Sequence, residues 1–168
     1  VEFTVVCDAN EYTITFDTGD GSLVEPLTFK CGETITAPED PRKTGYSFAG
    51  WVPELPETMP AHDITVTAQW TINQYTVTFD AEEITVKNGS TVLASGDKVD
   101  FHTELTVTAE ERTGYTAIIL VNSKEIVEDG TYTIGAYDAV FTVSYEPKKY
   151  TITFDTDGGS SIEPMEVD

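Results

Sequence analysis

The chain repeats itself, and that constrains its fold more than any other feature. Tyr12–Phe29 reads YTITFDTGDGSLVEPLTF and Tyr150–Val167 reads YTITFDTDGGSSIEPMEV, with eleven of eighteen aligned positions identical. A third opening, YTVTFD, begins at Tyr75, so the three starts lie 63 and 75 residues apart. Self-similarity of this kind marks an array of small units that share one architecture.

The unit ends repeat as well. Asp63–Tyr75 reads DITVTAQWTINQY and Asp138–Tyr150 reads DAVFTVSYEPKKY, so Trp70 and Tyr145 occupy equivalent places. The first eleven residues, VEFTVVCDANE, fall into register with residues 139–149, with FTV at Phe3–Val5 matching FTV at Phe141–Val143. Residues 1–11 are therefore read as the last strand of an upstream repeat and residues 12–74 as repeat unit 1. Residues 75–149 are read as repeat unit 2, of a divergent subtype, and residues 150–168 as the opening hairpin of a further repeat. Both full units also carry TGY, at Thr44–Tyr46 and Thr113–Tyr115, as divergent copies of one ancestor would.

Period-two alternation dominates these units. In Tyr12–Phe16 the residues Tyr, Ile and Phe share one face and two threonines the other, the signature of a half-buried strand. Thr, Val, Ile and Tyr suit a pleated surface. The segments Asp17–Ser22 and Asp155–Ser160 carry turn chemistry, and Asn88-Gly89 and Asp129-Gly130 read as hairpin turns. Pro26, Pro38, Pro41, Pro53, Pro56 and Pro60 interrupt unit 1, leaving room for at most one short helical turn near Ala37–Thr44. Unit 2 reads as short strands at Glu83–Lys87, Thr91–Ala94, Glu104–Thr108, Tyr115–Val121, Tyr132–Ile134 and Val140–Tyr145. The run AIILV within Tyr115–Val121 predicts a strand buried on both faces, or a contact between units. The expected fold class is all-β or mostly β: tandem small modules, with unit 2 β-grasp-like or sandwich-like.

Thirty acidic residues against nine basic ones give a net charge of −21. Such a surface repels phosphate backbones and anionic headgroups, which argues against nucleic acid as a partner and against direct membrane insertion. No apolar stretch approaches the roughly 20 residues of a membrane helix. Two cysteines, Cys7 and Cys31, are too few for a disulfide scaffold and fit no zinc spacing. A single Cys7–Cys31 bridge is left open by the sequence.

Unit 1 combines an opening YTITFDTGDGS, the loop APEDPRK, TGYSFAGW at Thr44–Trp51 and MPAHDITVTAQW at Met59–Trp70. This combination resembles the Listeria–Bacteroides repeat, the internalin-type B repeat of bacterial surface proteins, over residues 12–74, with the start of a further copy at 150–168. Unit 2 keeps YTVTFD and TGY but lacks the GW and the proline-rich middle. The resemblance implies a β-grasp-like module strung in arrays on an extracellular bacterial cell surface, where it projects a ligand-binding head or makes adhesive contacts. It brings no catalytic residues.

A search for chemistry finds little. His62 and His102 fall one in each unit, and both read as surface histidines. DTGDGS and DTDGGS look like calcium loops, but an EF-hand loop needs a Glu at position 12. Counted from Asp17 that position is Thr28, and from Asp155 it is Glu166, so both read as glycine-rich turns. Tyr46, Phe48, Trp51 and Trp70 could form a sugar-stacking platform. Alternation with Val66 and Ala68 instead places Trp70 on the core face. No catalytic, cofactor or metal site is expected. The expected role is a non-catalytic stalk, spacer or adhesive unit, and the alternative is a glycan- or host-protein-binding module using exposed aromatics. Its partner would be a surface protein or a glycan, and open strand edges at residues 1–11 and 150–168 offer self-association.

Overall fold

A computed structural model describes residues 10–125 and 130–167. The chain divides into two compact units, Val1–Asn73 and Gln74–Asp168. The expectations for residues 1–9 and for the Asp129-Gly130 turn fall, wholly or partly, outside the described residues. So does the proposed Cys7 partner, although Cys31 itself is disulfide-bonded.

Among the described residues the first unit holds four strands: β1 (Glu11–Asp17), β2 (Leu27–Lys30), β3 (Tyr46–Val52) and β4 (Ile64–Ile72). They form one sheet in the order β2-β1-β4-β3. The central pair β1–β4 is parallel, from Ile14↔Ile64 to Asp17↔Thr67, and both outer pairs are antiparallel. This is the mixed sheet of a β-grasp, and the segment 31–45 crosses the sheet without a helix because Pro38 and Pro41 forbid one. Ile14, Phe16 and Val66 project from the central pair and are buried. The loops cover them: Met59 is 1% exposed, and Val24, Ile35 and Leu55 pack against the same cluster. Backbone hydrogen bonds tie these loops together, with Gly32 N donating to Met59 O (2.8 Å) and Met59 N to Glu33 O (2.9 Å), beside a single Thr34↔Thr58 bridge.

The second unit contains β5 (Gln74–Thr78), β6 (Ile84–Asn88), β7 (Thr91–Val92), β8 (Lys98–Asp100), β9 (Glu104–Ala109), β10 (Tyr115–Val121), β11 (Lys124–Glu125), β12 (Thr131–Thr133) and β13 (Ala139–Pro147). One sheet runs β11-β10-β13-β5-β8 and a second runs β12-β9-β6-β7. The first of these contains the sheet of unit 1 again, since β8-β5-β13-β10 corresponds to β2-β1-β4-β3. The registers agree pair by pair: Tyr12↔Phe29 becomes Tyr75↔Val99, Ile14↔Ile64 becomes Val77↔Ala139, and Phe48↔Trp70 becomes Ala117↔Tyr145.

What differs is the covering layer. Each of the three loops of unit 1 carries strand structure in unit 2: β6 and β7 in the first, β9 in the second, β12 in the third. The isolated Thr34↔Thr58 bridge of unit 1 corresponds to the β9–β12 ladder, where Thr133↔Glu104 stands at the same place. The flanking bonds recur too, with His102 N donating to Ile134 O and Ile134 N to Thr103 O. Ile134, fully buried, takes the position of Met59. Unit 2 is thus both β-grasp-like and a sandwich: the same mixed sheet, with its loop cover grown into a second sheet around Val86, Leu105, Val107 and Phe141. Gly89, at φ 57°, closes the β6–β7 hairpin as the Asn-Gly pair predicts.

One expectation is corrected. Tyr115–Val121 is a strand, but only Val121 is buried, and Ile118, Ile119 and Leu120 are half-buried. The second sheet covers one face of the sheet that holds β10, and it does so towards the end of the strand: Tyr115–Ala117 are exposed, Ile119 packs against the core and Val121 is buried in it. Residues 150–167 form a hairpin of β14 (Tyr150–Ile152) and β15 (Met165–Val167), with Tyr150↔Val167 in the register of Tyr12↔Phe29.

Candidate interaction surface

The aromatic residues singled out as a platform do meet. Tyr46, Phe48 and Trp51 come from β3, and Trp70 from the facing stretch of β4, because Phe48↔Trp70 and Trp51↔Ala68 are register neighbours. Phe16 and Trp51 lie 5.0 Å apart at 58°, Phe48 and Trp51 5.1 Å at 65°, and Phe48 and Trp70 5.7 Å at 68°. Tilted and edge-to-face contacts suit ring quadrupoles inside a packed cluster. A sugar platform needs a flat open face, and these half-buried rings present their edges to one another instead.

Trp70 is further fixed by the glycine-rich turn. Its indole N–H donates to Thr18 O at 3.3 Å. A Cβ on Gly21 would stand 2.6 Å from Trp70 Cζ2, so only glycine lets the turn lie against the ring. The turn is closed internally: Gly19 N–H donates to Asp17 Oδ1 (3.0 Å) and Gly21 N–H to Thr18 O (3.0 Å). The second copy matches, with Asp157 N–H donating to Asp155 Oδ1 (3.0 Å) and Gly159 N–H to Thr156 O (2.9 Å). The leading carboxylate of each turn thus accepts a backbone N–H of its own turn.

A cation covers the closing-strand aromatic in each unit. Lys43 Nζ lies 4.7 Å above the Tyr46 ring, 5.9 Å above Trp70 and 3.6 Å from Asp20 Oδ2. The Arg112 guanidinium lies 3.7 Å above the Tyr145 ring, and its Nη2 donates to Glu83 Oε1 at 2.6 Å. Both cations immediately precede TGY, and the turns are alike: Tyr46 N donates to Lys43 O, and Tyr115 N to Arg112 O. The glycine carbonyls then accept from the residues leaving the closing strands, Gly45 O from Asn73 N (2.9 Å) and Gly114 O from Lys148 N (2.7 Å). Gly45 and Gly114 sit at φ 78° and 84°, where a side chain would be strained. Lys43 joins Glu39, Asp40, Arg42 and Phe48 around a shallow depression, and Arg112 joins Glu110, Thr116 and Lys148 around another.

Each histidine is exposed within its own unit. His62 is exposed ahead of β4, and His102 is exposed at φ 65°, the position that Gly32 holds at φ 77° in unit 1. Residue periodicity did not single out Asp63 and Asp138. Asp63 Oδ1 accepts the Thr13 N–H at 2.8 Å, and Asp138 Oδ1 accepts the Thr76 N–H at 2.8 Å. In both units a carboxylate ahead of the closing strand latches the opening strand. The signal available in sequence was their shared place, twelve residues before the next Tyr.

Comparison with known proteins agrees with this reading. Residues 12–69 match the Listeria-Bacteroides repeat domain. The chain is 28% identical over 171 residues to a protein of Evansella cellulosilytica named as a Gly-rich membrane protein, covering 96% of this chain and 19% of that one. A second protein of the same organism, named as a membrane protein, is 27% identical over 172 residues, covering 96% of this chain and 25% of its own length. Internalin H of Listeria monocytogenes is 41% identical over 80 residues, 42% of this chain and 14% of that protein. The chain therefore spans a quarter or less of the relatives it matches. No solved structure matches it. With its mixed sheet, its glycine-rich turn and its GYSFAGW strand, the first unit is a Listeria–Bacteroides repeat, a module of the kind found in bacterial surface proteins.

Proposed function

We propose that the chain is a non-catalytic spacer segment of an extracellular bacterial cell-surface protein, holding a functional region away from the cell. The observation that carries this reading is the use of the aromatic cluster. Phe16, Phe48, Trp51 and Trp70 pack against one another in unit 1 at tilted and edge-to-face angles, the arrangement of a packed cluster rather than of a coplanar stacking platform. The link between units also fits a spacer, since β4 ends at Ile72 and β5 begins at Gln74, leaving Asn73 alone between them. The strong negative charge keeps such segments soluble and mutually repelling.

The alternative, a glycan- or host-protein-binding module, draws on the depressions beside Lys43 and Arg112, where polar groups surround exposed aromatic edges. A glycan array and a host-protein pull-down, run with the chain and with a Lys43→Gln, Arg112→Gln double variant, separate the two readings. A spacer gives no signal with either protein. A signal from the native chain that the folded double variant loses would replace the spacer with a binding module.

A further inference from the structure

We infer that each unit is built as a mechanical clamp, in which tension along the chain is borne by the opening and closing strands in shear. The inference rests on the spacer reading and adds what the spacer must withstand.

The first and last strands of each unit are adjacent, parallel and central. In unit 1 the pair is β1 and β4, and in unit 2 it is β5 and β13. A chain pulled along its length draws β1 back by its first residue and β4 forward by its last. Because the strands run parallel, the two pulls are opposed along the strand axis, and every bond between them is loaded together. An antiparallel terminal pair pulled from its open end would instead unzip, its bonds breaking in sequence. Rupture under force follows the barrier to unfolding rather than the equilibrium stability, so this arrangement matters even in a marginally stable module.

Three further features reinforce the pair. The Asp63 carboxylate takes the Thr13 N–H, and the Asp138 carboxylate takes the Thr76 N–H, adding a bond at the upstream end of each ladder. Ile14, Phe16 and Val66 under one clamp, and Val77, Ala139 and Phe141 under the other, are buried and keep water from the loaded bonds. Asn73 N–H to Gly45 O and Lys148 N–H to Gly114 O pin the closing strand where it leaves the unit. The covering layers of the two units differ in strand content, mostly loops in one and a second sheet in the other, whereas these features are shared. A requirement on the fold alone would tolerate change in either layer. A requirement on the load path falls on the shared features.

The test is single-molecule force spectroscopy on the full chain, held between reference modules with the disulfide reduced. Unit 2 releases more chain than unit 1, at about 3.3–3.6 Å per residue, so the two ruptures are told apart by length. Pulling through the chain ends loads β1 against β4 in shear. Pulling through the upstream end and a handle at Lys30 instead peels β1 from β2, where Glu11↔Lys30 is the terminal antiparallel pair. The expected result is a clearly higher rupture force for unit 1 in the first geometry. Asp63→Ala is expected to lower that force, and Asp63→Asn, which keeps an acceptor oxygen, to restore most of it. Equal forces in the two geometries, or no response to Asp63→Ala in shear, would overturn the clamp. The spacer reading fails separately, if unrelated modules of equal length cannot replace the segment in the whole surface protein.

Discussion

Asp63 and Asp138 show how much one side chain can set at the start of a parallel pair. A parallel ladder leaves its first N–H without a strand partner unless the neighbouring chain supplies one, and here a carboxylate does. A typical intramolecular hydrogen bond contributes about 0.5–1.5 kcal/mol. Asp138→Ala is expected to cost that much, and Asp138→Asn less, when the two variants are compared by urea denaturation. Gly21 is the stricter position. Its missing Cβ makes room for Trp70, with Thr18 O at 3.1 Å behind it, so Gly21→Ala forces the ring or the turn to move. Overpacking of this kind costs about 1–3 kcal/mol, and the altered Trp70 environment is to be read by tryptophan fluorescence alongside the denaturation curve. Tyr132 adds a pH dependence. Burial, then the hydrogen bond and charge of Tyr137, push its hydroxyl from 10.0 up to about 12. The unfolded chain therefore releases this proton first, and folding is favoured fully below pH 10 and progressively less as the pH rises towards 12. Stability measured at pH 9 and pH 11 is expected to fall, and Tyr132→Phe to remove some of that fall. An identical fall in the variant would mean that other groups cause it.

At the scale of elements, the strand Tyr115–Val121 marks the limit of a reading by composition. Its apolar run suggests burial on both faces, yet only Val121 is buried, because the covering sheet meets one face. Val121→Thr places a hydroxyl in the core and is expected to cost about 1–3 kcal/mol, whereas Ile118→Thr on the half-buried opposite face costs less. Equal costs in thermal denaturation would restore the two-faced reading. The strands with plain alternation, such as Tyr12–Phe16 and Glu104–Thr108, were legible because period two records directly which face is wet. The short edge strands Lys98–Asp100 and Lys124–Glu125 were not, since they hold few residues and are defined by their partners. The parallel pairing of the opening and closing strands was also beyond the sequence. Periodicity reports a face, not a neighbour, and the only trace of that neighbour was the repeated Asp ahead of each closing strand. The aromatic cluster was half legible: alternation put Trp70 on the core face, but the edge-to-face angles that remove the platform depend on packing across β3.

At the scale of the whole molecule, the three openings of the repeat stand in two environments. In unit 1 β4 pairs along the edge of the opening strand and the loops that carry Met59, Val24, Ile35 and Leu55 cover its apolar face, which leaves Ile14 at 0% and Phe16 at 6% exposure. The equivalent residues of the last hairpin, Ile152 and Phe154, are 42% and 43% exposed, and Ile162 and Met165 beside them are similarly open. The hairpin has the register of β1–β2, and in unit 1 the other edge of that opening strand takes a parallel strand preceded by Asp63 and alternating in apolar residues. Two copies of the chain can cover such faces against each other, opposed by a net charge of −21 on each. The opposing force is screened by salt, with a Debye length of about 10 Å at 0.1 M and about 3 Å at 1 M, while apolar burial is not weakened in that way. Self-association through this edge is therefore expected to grow with both protein concentration and salt, and small-angle scattering over a concentration series at two ionic strengths measures it. Ile152→Asp is expected to abolish the growth, and a synthetic peptide of sequence DITVTAQW to compete with it. A scattering mass that stays monomeric at high salt and high concentration would show that the hairpin edge does not pair, and would leave its apolar face unexplained by association.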